Sequence, residues 1–205
     1  MRTSTSKVFA RLPRPRGLLA RLRRDQRAVS AVEFALLLPL MLTLYIGGTE
    51  LGQAISVYRK VGQTAFTLAD LVSQVANLTT SDMNNVMAAS TAVMSPYPAT
   101  GASMIVSALC YSSAGKLTVD WSVANSSGTP WTSGAAPPST VTVPTNILVK
   151  GTDTIVAYVT YSYDTGFAPF LKDAAGSTVI KLSDIAYLRP RISSFISYNS
   201  VTKCS

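Results

Sequence analysis

Residues 34–49 read Phe-Ala-Leu-Leu-Leu-Pro-Leu-Met-Leu-Thr-Leu-Tyr-Ile-Gly-Gly-Thr, sixteen positions without a formal charge. At about 1.5 Å of rise per residue they reach about 24 Å, short of a hydrocarbon core of about 30 Å. A helix that spans the membrane therefore has to start earlier. Beginning at Ala28 it reaches about 33 Å, and that start brings Glu33 inside the membrane near one edge. An ionisable group there costs on the order of a few kcal/mol unless it finds a partner. Glu33 is the first functional candidate in the chain for that reason.

The charge distribution predicts which way the span points. Residues 1–28 carry nine Lys or Arg against Asp25, a net +8, whereas the rest of the chain is neutral. Positive residues flanking a span stay inside, so the N-terminus is expected in the cytoplasm and the chain after the span outside it. The sequence pI of about 9.7 is thus a topology signal. A nucleic-acid partner is not expected, because no aromatic residues interleave with the charges and no helix-turn-helix or zinc pattern follows. An Arg- and Ser-rich, acid-poor start also describes a mitochondrial presequence, and a basic then apolar segment a secretory signal. The apolar run exceeds a usual signal core, and Gly52-Gln53-Ala54 is a poor cleavage site, so a permanent anchor is the favoured reading.

Beyond the span the apolar residues acquire a helical period. Leu51, Ile55, Tyr58, Gly62, Ala65, Ala69, Val72 and Ala76 repeat at alternating spacings of four and three, with polar residues on the opposite face. Such a stripe covers the domain's own core or packs on neighbouring helices, for which Gly47, Gly48, Gly52 and Gly62 allow close approach. Ser81 with Asp82 predicts the N-cap of a second helix that Pro96 and Pro98 stop. Alternation at Leu117, Val119, Trp121 and Val123 predicts a strand, with residues 103–111 as its hairpin partner. Residues 155–163 predict a third strand and 179–188 a fourth. Residues 124–152, rich in Ser, Thr, Gly and Pro, read as a long surface connection.

The expected fold class is α+β: a long N-terminal transmembrane and amphipathic helix, then a small antiparallel sheet packed on helix. The segments are a basic cytoplasmic leader at 1–28, a transmembrane helix at 29–52, an amphipathic continuation at 53–79 and an extracytoplasmic α+β domain at 80–205. Cys110 and Cys204 are the two cysteines. Outside the cytoplasm they can form one bridge; a buried thiol and a separate free thiol are the other reading.

The stretch Arg27-Ala28-Val29-Ser30-Ala31-Val32-Glu33-Phe34-Ala35-Leu36-Leu37-Leu38-Pro39 resembles the start of the TadE-like proteins, minor pilins or pseudopilins of the tight-adherence (Flp) type IV pilus system of bacteria. Leu68-Ala69-Asp70-Leu71-Val72, Pro96-Tyr97-Pro98, Trp121-Ser122 and Tyr187-Leu188-Arg189-Pro190-Arg191 are similar to segments recurring in a subgroup of that family. The resemblance implies an inner-membrane protein with a periplasmic outer domain, a cut by a prepilin peptidase between Ala28 and Val29, and Glu33 as the fifth mature residue. The family's usual residue before the cut is Gly; here it is Ala28. The implied partners are the membrane, other pilins and pseudopilins, and the pilus assembly proteins.

An enzyme is not expected. The chain has no histidine, hence no imidazole base, and two separated cysteines do not build a structural zinc site. No cofactor or metal motif is present. Asp153, Asp164 and Asp173 read as solvated surface aspartates. An alternative to pilus assembly is a plain single-span envelope protein whose outer domain binds a ligand or surface through Trp121, Trp131, Tyr158, Tyr161 and Tyr163, although strand aromatics more often pack within a sheet.

Overall fold

The computed structural model describes residues 26–164, 179–200 and 204. The leader as far as Asp25, with all its basic residues but Arg27, lies outside the described residues, as does Asp173. Helix α1 is Gln26–Ser73, β1 Asn77–Leu78, α2 Thr80–Val93, β2 Ala102–Tyr111, β3 Leu117–Ala124, β4 Thr152–Asp164, β5 Val179–Leu188 and β6 Ser197–Tyr198. Contacts divide the chain into two units, Met1–Thr49 and Glu50–Ser205.

Within the first unit the helix has no polar face. Leu36, Leu38, Leu40, Leu42 and Leu44 are all exposed, as are Phe34 and Tyr45, so apolar surface points in every direction. Its two threonine hydroxyls bond back to the helix itself, Thr43 Oγ1 to the Pro39 carbonyl and Thr49 Oγ1 to that of Ile46, both at 2.8 Å. That internal bonding removes two donors that would otherwise need a partner outside the helix. Among the described residues, α1 is the helix long and apolar enough to cross a membrane.

In the second unit α1 becomes one-sided. Val57, Val61, Ala65, Leu68, Ala69 and Val72 are buried against the sheet. The buried face is rotated from the expected stripe, since Leu51, Ile55 and Tyr58 stay exposed. Apolar residues on this helix cover more than one face, and the sheet takes the side where small residues allow contact. At Gly62 a Cβ would meet Asp184 Oδ2 of β5 at 2.5 Å.

The helix ends at Ser73 rather than continuing to residue 79. Backbone competition explains it: the carbonyls of Ser73, Ala76 and Leu78 accept from the amides of Arg191, Ser197 and Asn199, and β1 pairs in parallel with β6. Arg191 also forms an ion pair with Asp70. The second helix starts at Thr80, with its cap two residues before the expected Ser81. Thr79 is the N-cap and forms a capping box with Asp82, which satisfies two orphan amides and places a negative charge at the helix N-terminus. These hydrogen bonds, from the Thr79 side chain first and its backbone amide second, hold the Asp82 carboxyl below its ordinary value.

The main sheet is antiparallel in the order β3-β2-β4-β5. The predicted hairpin forms between β2 and β3, with Gly115 at φ +79° in its turn, a conformation that favours glycine. Central β2 is buried on both faces. Met104, Val106 and Ala108 join the core under the helices, together with Ile155, Ala157 and Val159 of β4. Leu109 faces the other way, packed with Val119, Val156 and Val141.

Residues 124–152 are thus more than a surface connection. Val141 is buried over the second face of the sheet, and Trp131 and Val143 pack beside it. The same segment covers the free edge of β3, where Val119 N–H donates to Ala135 and Gly134 N–H donates to Val119, shielding groups that would otherwise template another strand. A bulge between Ala108 and Leu109 pairs Trp121 with Ala108 and Val119 with Leu109. Asp120 is the extra residue and is itself buried.

Candidate functional site

Three places gather groups with chemistry. The first is the start of α1. The Ala28–Val29 bond lies in the first turn of the helix, and Glu33 follows one turn later with its side chain exposed among Val29, Val32, Phe34 and Leu37. Among the described residues no ion pair involves Glu33; the Asp70 and Arg191 pair is elsewhere. A carboxylate among mostly apolar neighbours costs free energy in a lipid surrounding unless it finds a partner.

The second place lies at Glu50, a further acid of the helix that sequence reasoning passed over. Glu50 is 7% exposed. The Tyr163 hydroxyl sits 3.3 Å from Glu50 Oε2 and 3.2 Å from Gln53 Oε1. One hydroxyl proton cannot serve both acceptors at once, and burial, followed by the Glu50 charge, pushes the Tyr163 phenol above its ordinary value. Tyr97 and Tyr161 line the same open cleft.

The third place joins the two cysteines. Cys110 and Cys204 form a disulfide with Cα atoms 5.3 Å apart. Cys110 lies directly across from Asp153 in the β2–β4 register, and a carboxylate oxygen of Asp153 lies within 4.8 Å of both sulfurs. The reading of Asp153 as a solvated surface residue is corrected here, since its side chain is fully buried. Its Oδ2 accepts from Ile196 N–H at 3.0 Å and its own N–H donates to Ser194 at 2.9 Å. Oδ1 has no hydrogen-bond partner. Burial pushes this carboxyl up to about 7; the Ile196 amide opposes the shift and the nearby Asp120 adds to it. With the sulfurs bonded to each other, the cluster offers a cation the carboxylate alone.

The aromatic residues suggested as a binding surface serve packing for the most part. Trp121 is buried, donates to the Ile196 carbonyl at 2.6 Å and stacks at a tilt on Tyr198. Tyr161 and Tyr163 belong to the main core, and Trp131 covers the second. A signal for Glu50 was present in the sequence, as an acid close to the C-terminal end of the expected 29–52 span. Nothing local marks Asp153, whose burial depends on pairing with a strand about forty positions earlier.

The stretch that carries Glu33 also decides the comparison with known proteins. Residues 28–70 match the family of TadE-like proteins. No curated protein and no solved structure matches the chain. The TadE-like segment contains the whole candidate span and most of the amphipathic half of α1, and it ends before the sheet begins. Together with a candidate membrane helix, the match fits a membrane protein associated with a tight-adherence pilus.

Proposed function

We propose that this chain is a membrane-anchored minor pilin or pseudopilin that helps assemble a tight-adherence pilus, in a structural role and not an enzymatic one. The observation that carries the reading is the TadE-like match over residues 28–70, which starts five residues before Glu33 and covers the candidate span. In this reading the +8 leader stays in the cytoplasm, the α+β domain stands in the periplasm, and α1 holds the chain in the inner membrane. A prepilin peptidase cuts between Ala28 and Val29. The bond is in a terminal helical turn, where unpaired amides make opening easy. The new α-ammonium of one copy then pairs with Glu33 of a neighbouring pilin and offsets the cost of burying that acid.

N-terminal sequencing of protein extracted from membranes tests the reading. Val29 as the first residue supports it, and an intact leader points to a plain anchor. Glu33→Leu removes an intramembrane charge, so insertion should be kept or improved while co-purification with other pilins falls. Wild-type co-purification of that variant would remove Glu33 from the assembly role.

A further inference from the structure

The buried carboxylate beside the disulfide has no use in anchoring or assembly. We propose that Asp153 is the proton donor and acceptor of a thiol–disulfide exchange site formed with Cys110 and Cys204, and that the site takes a dithiol as its substrate. Three observations meet here. Asp153 and Cys110 are cross-strand partners, the carboxylate lies within 4.8 Å of both sulfurs, and Oδ1 is buried with no donor. A closed disulfide carries no hydrogen, so it cannot satisfy that oxygen. Reduction adds S–H groups within 4.8 Å of the carboxylate, donors for the orphan acceptor that the closed disulfide lacks.

The chemistry follows from the burial of the sulfurs. All three members of the cluster are buried, but over the whole residue Cys204 is the more open cysteine, Cys110 being 3% exposed, so the incoming thiolate is assigned to Cys204 Sγ. The S–S bond breaks and its electron pair leaves on Cys110 Sγ. A thiolate there is poorly solvated and hence a poor leaving group. The neutral Asp153 carboxyl gives it a proton. The second thiol of the dithiol then returns a proton to Asp153 and attacks the mixed disulfide. Cys204 leaves as a thiolate and takes up the proton that the first thiol released. The protein gains two electrons and two protons, and the dithiol becomes a disulfide.

The charged surroundings keep Asp153 available for this role. Asp120 is the acid that faces it. Arg189 and Arg191 stand on the wall of a cleft that Asp153 also lines, but Arg189 bonds the Ile147 carbonyl and Arg191 pairs with Asp70. Among the described residues no cation pairs with Asp153. The carboxyl is therefore protonated on the acid side of about 7.

The test is reduction of the full-length protein in detergent micelles by dithiothreitol, with each rate divided by the concentration of reductant thiolate. In wild type this normalised constant should fall by about tenfold or more as pH rises through neutrality and the proton donor is lost. Asp153→Asn, which keeps an acceptor for Ile196, should be independent of pH and match the slow, alkaline limit of wild type. A variant as fast as wild type at its acid limit would mean that the ionised Asp153 merely repels the thiolate, and would overturn the proposal. So would a flat wild-type profile. A second readout needs no variant: the wild-type rate on the acid side should drop in heavy water, and an unchanged rate there counts against proton donation.

Discussion

The two halves of α1 contain similar numbers of apolar residues and solve opposite problems. From Val29 to Thr49 every large apolar side chain is exposed, whereas from Glu50 to Ser73 one face is sealed against a sheet and the other mixes polar residues with exposed Leu51, Ile55, Tyr58 and Phe66. The first half needs a surrounding that is apolar on all sides; the second needs two surroundings at once. An acid means different things in each. Glu33 lies open to whatever surrounds the helix, whereas Glu50 is enclosed and already bonded to Tyr163.

The sharpest way to break this contrast is to put a charge where the first half tolerates none. Leu40→Arg costs about 2.5–3.5 kcal/mol at a span's centre and should release a large part of the protein from membranes on alkaline extraction, while leaving the outer domain folded. Leu68→Ala works in the other direction. Leu68 is fully buried whereas Leu40 is 58% exposed, so Leu68→Ala should destabilise the domain by about 2–5 kcal/mol. Leu40→Ala should leave the domain's unfolding midpoint unchanged, as denaturant titration in micelles would show.

Asp153 sharpens the contrast between the domain's interior and the helix surface through pH. Its folded carboxyl titrates near 7, against about 3.9 when unfolded. The folded state thus holds a proton that the unfolded state gives up. Stability should decline as pH rises from about 4 to about 7 and then level off. Asp153→Asn should remove the decline and gain on the order of 2–4 kcal/mol above neutrality, with no gain near pH 4, measured by unfolding at several pH values. The smallest effect belongs to Thr79→Ala, which removes the α2 cap and should cost about 0.5–2 kcal/mol. The exposed Asp82 has the opposite sign from Asp153. Its depressed value gives stability that is present above the unfolded carboxylate range and is lost on acidification.

Where a pattern is local, the sequence showed it. The span, the alternation in β3 and β4 and the limits of β5 were readable because their periodicity stands within ten or so residues. Failures came where a distant segment decides. The helix was expected to run past Ser73, but β6 claims the carbonyls beyond it. Ser81 looked the better cap, yet Thr79 alone has the reciprocal bond with Asp82. Residues 194–199 carry no strand signal of useful length, although Ile196 is a fully buried core residue. Of the site, Glu33 and the two cysteines were legible by type and position, while the burial of Asp153 was not, because an aspartate in a strand shows nothing of what lies across from it.

That short segment has a consequence for the order of events during synthesis. Ile196 fills the core, its carbonyl accepts from the Trp121 indole, its amide donates to Asp153, and the residues after it pair with β1. A chain synthesised only as far as β5 has the four strands of the main sheet and its helices but lacks the piece that closes them. Until residue 196 emerges, Trp121 and Asp153 are left without these partners, and contacts of such long sequence separation form late. The long helix is therefore synthesised well before the domain can finish, and the growing chain waits for its own latch.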